Sequence, residues 1–277
     1  MNKDAVMHRV HTIVSQTGLP FNTVLTFYFL EAVLNKLAHT RHAESLVLKG
    51  GFLLSNLMGL RNRTTVDMDM LLRNQPLTLE NITAIARDIC ASAAVPEVTC
   101  AIHDIEPIRA RDAYGGYRIR LLCRQENIRH IVPVDIATGD PVTPHPVAHM
   151  YHCLFSGKSI KIAAYNLETI LAEKLETIQR LGLLNSRCKD FFDVHTIWQM
   201  GREQLHLPTL QEAITRTYLY RAAVWHKEQL LDLLALLSAD ASMQARWSAW
   251  TARNEYAKDL TLTSALESIR ALLSVLS

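Results

Sequence analysis

From Leu46 to Leu72 the chain reads LVLKGGFLLSNLMGLRNRTTVDMDMLL, and three adjacent features of this stretch decide the fold. An apolar run, Leu46-Val47-Leu48, reads as a strand and ends in Lys49 and a glycine pair, Gly50-Gly51. A short apolar helix is predicted from Phe52 to Gly59. A basic turn with Arg61 and Arg63 then leads into Val66-Asp67-Met68-Asp69-Met70, where polar and apolar residues alternate. Alternation at a period of two places both carboxylates on one face of a strand and the methionines on the other. The glycines let backbone N–H groups approach a phosphate, and a helix start behind them adds a favourable dipole. Two carboxylates on one strand face suit shared divalent cations, which would offset the charge of a triphosphate.

Downstream, Leu79 to Ala94 has the pattern of a helix, and three strands are expected at Val98–Ile105, Tyr117–Cys123 and Ile128–Ile136. The last two are separated by Arg124-Gln125-Glu126-Asn127, a hairpin-length connection. Within the third, Asp135 is a carboxylate in an otherwise apolar run. Burying it there is costly unless something pairs with it, and a metal shared with Asp67 and Asp69 would do so. Gly139-Asp140-Pro141 closes that strand with a turn.

Upstream, Asp4–Gln16 and Asn22–Leu37 read as helices parted by Gly18-Leu19-Pro20, with Asn22 as a possible N-cap of the second. The run Leu25-Thr26-Phe27-Tyr28-Phe29-Leu30 is apolar enough to be buried on most sides, which makes these helices braces for a sheet. From Asn166 onward the pattern turns helical: Asn166 caps Leu167–Leu181, with Glu168 in the first turn. A further helix is expected from Arg187 to Met200. The remainder, Leu210–Leu276, is helical in period, with Trp225, Trp247 and Trp250 as packing anchors. A boundary near Ala163 divides residues 1–163, a mixed sheet domain with bracing helices, from 164–277, a helical domain.

The chain has 277 residues and a formal net charge of +2, so any basic surface must be local. Its five cysteines (Cys90, Cys100, Cys123, Cys153, Cys188) are scattered without a Cys-x-x-Cys pair. That argues against a disulfide framework or a zinc ribbon and fits a reducing cytoplasm. The first residues lack the apolar core of a secretory signal, and the most apolar window, Val24–Leu34, is short and contains Glu31. A soluble cytoplasmic protein without a membrane partner is expected.

Gly50-Gly51 followed by Arg63, Thr65, Asp67 and Asp69, a Gly-Gly…Arg-x-Thr-x-Asp-x-Asp series, resembles the core motif of the AbiEii/AbiGii-type nucleotidyltransferase toxins. These are related to the MenT toxins and belong to the DNA polymerase β-like nucleotidyltransferase superfamily. Asp135 with Gly139-Asp140 resembles the same family's Asp-(apolar)-x-x-Gly-Asp motif, which bears a third carboxylate. Glu168 to Glu176 resembles its Glu-x-x-x-x-Glu-Lys-Leu segment, and Arg187 to Asp193 its (Arg/Lys)-Asp-x-x-Asp segment.

The resemblance implies an α/β (α+β) fold, with the polymerase β-like mixed sheet, flanking helices and a C-terminal helical domain completing the cleft. It implies an enzyme moving an NMP from an NTP to an acceptor hydroxyl, with release of pyrophosphate. Mg²⁺ (or Mn²⁺) would sit on Asp67, Asp69 and Asp135, with Asp135 helping to activate the acceptor. Lys49, Gly50, Gly51, Ser55, Arg63 and Thr65 would hold the nucleotide. Lys174, Lys189 and Asp190 would complete the catalytic set. The implied acceptor is a tRNA 3′ end, and the implied partner is the antitoxin of a bacterial toxin–antitoxin pair. One position departs from the family: the residue after the glycine pair, commonly a small hydroxyl residue, is Phe52.

From the residues alone, several of these assignments have plainer readings. Lys174 lies beside Leu171 and Leu175 on its helix, and a lysine next to an apolar stripe usually extends to solvent. Lys189 and Asp193 are spaced for a surface ion pair, while Asp190 and Asp193 share a face. Transfer of a nucleotide to a protein hydroxyl, or of a γ-phosphoryl group, would use the same residues. A nucleotide- or RNA-binding module without turnover is the alternative outside enzymes. His145, His149 and His152 have metal-like spacing, but Pro144 and Pro146 favour a loop there. The arginines Arg109, Arg111, Arg118, Arg120, Arg124 and Arg129 could line a positive strip beside the cleft or a solvated sheet face. Arg216, Arg221, His226 and Lys227, interleaved with Tyr218, Tyr220 and Trp225, could grip single-stranded RNA or form the outer side of a packed helix. Walker, Rossmann, Gly-x-Ser-x-Gly and zinc-protease signatures are absent.

Overall fold

The computed structural model describes residues 1–61, 63–108 and 115–276; Arg109 and Arg111 of the arginine series lie outside them. The chain forms two compact units. The first joins Met1–Gly139 with Val147–Ala164, and the second joins Asp140–Pro146 with Tyr165–Ser277.

The first unit is built on a seven-stranded mixed sheet. Its strands are β1 (Leu46–Lys49), β2 (Met68–Leu72), β3 (Thr99–Ile108), β4 (Gly116–Gln125), β5 (Ile128–Thr138), β6 (Val147–His152) and β7 (Ser159–Ala164), in the spatial order β3-β4-β5-β2-β1-β7-β6. The central strands pair β1 with β2 antiparallel, β2 with β5 parallel and β1 with β7 parallel. β1 is buried at every position, so alternation is absent there, as expected of a strand covered on both faces.

Helices α1 (Lys3–Thr17), α2 (Phe21–Ala38), α3 (Gly50–Met58) and α4 (Leu79–Ala91) accompany this sheet. α1 is capped by the Asn2 side chain and ends on Gly18 in the left-handed region, whose N–H returns to the Val14 carbonyl. α2 starts one residue before the expected cap: Pro20 fixes its entry, and Asn22 lies inside the helix. From Val24 to Leu34 every residue of α2 is buried. Glu31, only 4% exposed, is satisfied by the backbone N–H groups of Leu154 (2.7 Å) and Phe155 (3.2 Å). The helix thereby tethers the turn between β6 and β7.

The second unit is helical: α5 (Leu167–Leu181), α6 (Cys188–Gly201), α7 (Leu207–Tyr220), α8 (Lys227–Ala239), α9 (Ala241–Thr251) and α10 (Leu262–Ser274). Asn166 caps α5 by accepting the Thr169 N–H (3.1 Å), and its amide donates to the Thr143 carbonyl (2.8 Å), tying the 140–146 segment to the helix start. Of the three tryptophans expected as anchors, Trp247 is the buried one, donating to the Leu260 carbonyl at 2.9 Å. Trp250 stacks obliquely on Phe192, and Trp225 meets Tyr218 edge-on. Among the described residues, no helix is long and apolar enough to cross a membrane.

Candidate active site

The site grows from one transverse rung of the sheet. Register partners run Glu106↔Arg118 from β3 to β4, Arg118↔Asp135 from β4 to β5, Asp135↔Asp69 from β5 to β2, and Asp69↔Lys49 from β2 to β1. Side chains on one rung project to the same face. This row therefore reads acid, base, acid, acid, base across five neighbouring strands. Asp69 and Asp135 stand side by side on adjacent strands, an arrangement that costs free energy unless a cation compensates it.

Asp67 joins them from outside the strand. The alternation predicted a strand containing both Asp67 and Asp69, but β2 begins at Met68 and Asp67 occupies the bend before it. Its carboxylate accepts a hydrogen bond from the Thr65 hydroxyl. One oxygen each of Asp67, Asp69 and Asp135 lies within 4.8 Å of the others, the one such donor group found among the described residues. Three hard oxygen donors at this separation fit a divalent cation of the Mg²⁺ or Mn²⁺ type. The histidine trio forms no such group: the His149 ring bonds the Asn56 side chain (2.9 Å) and the His152 ring the Ser159 hydroxyl (2.7 Å).

The glycine pair explains itself sterically. Gly50 has φ +70° and opens α3, two residues earlier than the apolar pattern suggested. A Cβ added there would lie 2.7 Å from Asp69 Cγ, so the carboxylate strand passes directly over this backbone. A Cβ on Gly51 would meet Thr65 Cβ at 3.0 Å and Arg63 Nη2 at 3.1 Å. Only glycine permits both the left-handed turn and these approaches. Arg63 is buried and donates to the Thr64 carbonyl, which shapes the bend that carries Asp67. Ser55 is also buried, its hydroxyl donating to the Gly51 carbonyl at 2.6 Å. Its contact is with the glycine pair's own backbone.

Phe52, the departure from the family motif, points into the core. It is fully buried, stacked on Tyr151 (5.0 Å, 29°) and tilted against Phe27 (5.6 Å).

Asp135 is 8% exposed and is gripped by Arg118 through two parallel bonds, Nε to Oδ1 and Nη2 to Oδ2, both 2.7 Å. This bidentate pairing, helped by Asp67 and Glu106, holds the guanidinium's pKa above its already high ordinary value. The sequence placed Arg118 in a strip of arginines; its register opposite Asp135 was the missing signal. Two positions along β4 from Arg118, Arg120 bonds Asp104 (2.8 Å) and Glu106.

In the second unit, Lys174 of α5 bonds Asp190 (3.0 Å) and Asp193 (2.6 Å) of α6, and Arg187 also reaches Asp190 (2.6 Å). Both carboxylates are 2% exposed. Burial alone would raise the Asp190 carboxyl, but Lys174 and Arg187 outweigh it and hold it at about 2. Lys189, next to Asp190 in sequence, faces outward and is exposed. Arg221, at the end of α7, gathers Asp140 (3.1 Å), Glu173 (3.7 Å) and Glu176 (2.5 Å). Of the basic and aromatic cluster around it, Tyr218 is buried, whereas Arg216 is exposed and pairs with Glu212 at the helix surface, and His226 is exposed.

A family model described as nucleotidyl transferase AbiEii toxin, type IV TA system, matches residues 32–274. Among solved structures, a protein from H. pylori assigned as a nucleotidyltransferase superposes with a TM-score of 0.52 at 16% identity, over 93% of this chain and 95% of that one. JHP933 from Helicobacter pylori gives 0.50 at 15% identity, over 93% and 92%. At such identities the likeness is one of fold. No curated protein matches the chain. The family match spans most of the chain and includes the carboxylates, the glycine pair and the α5–α6 segment; the chain belongs to the AbiEii nucleotidyltransferase toxin family of type IV toxin–antitoxin systems.

Proposed function

We propose that this nucleotidyltransferase moves an NMP from an NTP to an acceptor hydroxyl at a tRNA 3′ end, with Mg²⁺ or Mn²⁺ on Asp67, Asp69 and Asp135. The observation that carries this reading is the convergence of those carboxylates beside the Gly50-Gly51 turn. When bound, the cation neutralises triphosphate charge and polarises the reacting phosphoryl group. The chain's own contributions follow from position. Gly51 and the first turn of α3 present N–H groups to the β- and γ-phosphates, with Lys49 at the end of β1 adding positive charge. Thr65 and Arg63 fix the bend carrying Asp67, and Ser55 steadies the pair from inside the core. Asp135 accepts the acceptor hydroxyl's proton, which frees the oxygen for in-line attack on the α-phosphorus as pyrophosphate departs.

Lys189 is the exposed cation of the α6 segment and is assigned here to phosphate contact. Lys174 and Asp190 are assigned to holding that segment in place. The toxin role implies a cognate antitoxin that restrains this activity. With Phe52 packed in the core, phosphate contact at this turn falls to the backbone N–H groups and Lys49 rather than to a hydroxyl side chain.

The test is transfer of label. Purified protein is incubated with Mg²⁺, each α-labelled NTP in turn, and total tRNA or protein. We expect label in tRNA, lost by at least a hundredfold in Asp69→Ala. Label in protein instead would replace the acceptor; no transfer to either, with Asp69→Ala indistinguishable from wild type, would end the assignment.

A further inference from the structure

We infer that Arg118 is an internal counter-cation that competes with the divalent metal for Asp135 and so keeps the free enzyme's metal affinity low. This rests on the proposed metal reading of the carboxylates and adds a residue that the family motifs do not contain.

The argument begins with charge along the rung. Asp69 and Asp135 are register partners, and Asp67 is close enough for all three to share one ion. Without a cation, three carboxylates so placed repel one another. Arg118 answers part of that repulsion from the other side: it is the register partner of Asp135 on β4, and it occupies both Asp135 oxygens at 2.7 Å. The fork is held by those two parallel bonds, and Glu106, the register partner of Arg118 on β3, is itself bonded to Arg120. Its side chain is one-third exposed, so it has solvent to move into.

A metal ion using Asp135 must share that carboxylate with the guanidinium or displace it. Sharing puts a dication beside a monocation; displacement breaks two charge-assisted hydrogen bonds. Either way Arg118 opposes metal binding. An enzyme so arranged takes its metal most readily together with the triphosphate, whose charge can answer both cations.

The experiment is calorimetric titration of Mn²⁺ into full-length protein without nucleotide, for wild type, Arg118→Ala, Arg118→Gln and the double variant Arg118→Gln/Asp135→Asn. Arg118→Gln retains hydrogen-bonding capacity opposite Asp135 should the alanine variant fold poorly, and thermal melting monitors folding throughout. We expect Mn²⁺ to bind the Arg118 variants at least tenfold more tightly than wild type, with the gain lost in the double variant. Folded Arg118 variants that bind Mn²⁺ no tighter than wild type, while Asp69→Ala abolishes binding, would overturn the role of Arg118 and leave the metal site standing. Mn²⁺ binding unaffected by Asp69→Ala, or absent from every protein, would overturn the metal reading and this inference with it.

Discussion

Gly50 shows how much one residue carries. Its φ of +70° turns the chain from β1 into α3, and Asp69 passes where a side chain would begin. Gly50→Ala should therefore strain the backbone by about 1–3 kcal/mol and push Asp69 from its neighbours, costing transfer activity more than a hundredfold. Activity within a few-fold of wild type would show that the turn tolerates a side chain. Glu31 makes a different prediction. Burial lifts its carboxyl from 4.5 to about 7 against the pull of the Leu154 and Phe155 N–H groups. Between those values the native state keeps a proton that the unfolded chain has released. Its contribution is therefore most favourable below pH 4.5 and is lost as pH rises to 7, a loss on the order of 3 kcal/mol. Denaturant melts of wild type and Glu31→Gln from pH 5 to 7.5 should show that slope in wild type only. Parallel curves would mean that the carboxylate is ionised throughout.

Elements were legible where pattern and burial agree. The apolar runs of α2 and β1, the Asn166 cap and the β4–β5 hairpin all follow from local chemistry. β6 and β7 were not anticipated. β6 is an edge strand without a clean inside–outside alternation, exposing Val147, Ala148, Met150 and His152, and Pro144 and Pro146 just before it made its histidines read as a loop. β7 does alternate, Ser159-Ile160-Lys161-Ile162, and that signal was available. The α5–α6 pairing was half legible: spacing put Asp190 and Asp193 on one face, but only the fold shows Lys174 reaching both. Lys174→Met would leave two buried carboxylates short of their shared cation and should destabilise the protein by about 3 kcal/mol. Lys189→Ala, at an exposed position, should change stability by less than about 0.5 kcal/mol while lowering transfer activity. The reverse pattern in melting and activity would exchange the two roles. The Asp190 carboxyl, held at about 2 against an ordinary 3.8, adds stability that is complete above pH 4 and lost as pH falls toward 2.

At the scale of the whole chain, the sequence read as two blocks in order, and the structure interleaves them. Asp140–Pro146 belongs with the helices although β6 and β7 follow it. No local pattern announces this, because the ties are distant: Thr143 to Thr169 (3.1 Å), Asn166 to Thr143, and Asp140 to Arg221 (3.1 Å). Arg221 is the most heavily engaged of these residues. Burial works against its charge, but Glu173, Asp140 and Glu176 hold it firmly protonated. Glu176 is fully buried and accepts from Arg221 at 2.5 Å and Arg180 at 2.8 Å, so losing Arg221 leaves an enclosed carboxylate with a partner that is itself half exposed. Breaking a buried pair in this way costs about 3 kcal/mol, or roughly 6–12 °C of melting temperature for a chain of this size. Arg221→Met should show that fall, and it should also expose the 140–146 segment to faster limited proteolysis, since Asp140 loses the guanidinium that anchors it to α7. Arg221→Lys should recover only part of either effect, as an ammonium is a single point charge where a planar fork now meets several acceptors. A melting temperature unchanged in Arg221→Met, with residues 140–146 as resistant as before, would mean that the Asn166 and Thr169 contacts alone hold this segment to the helices.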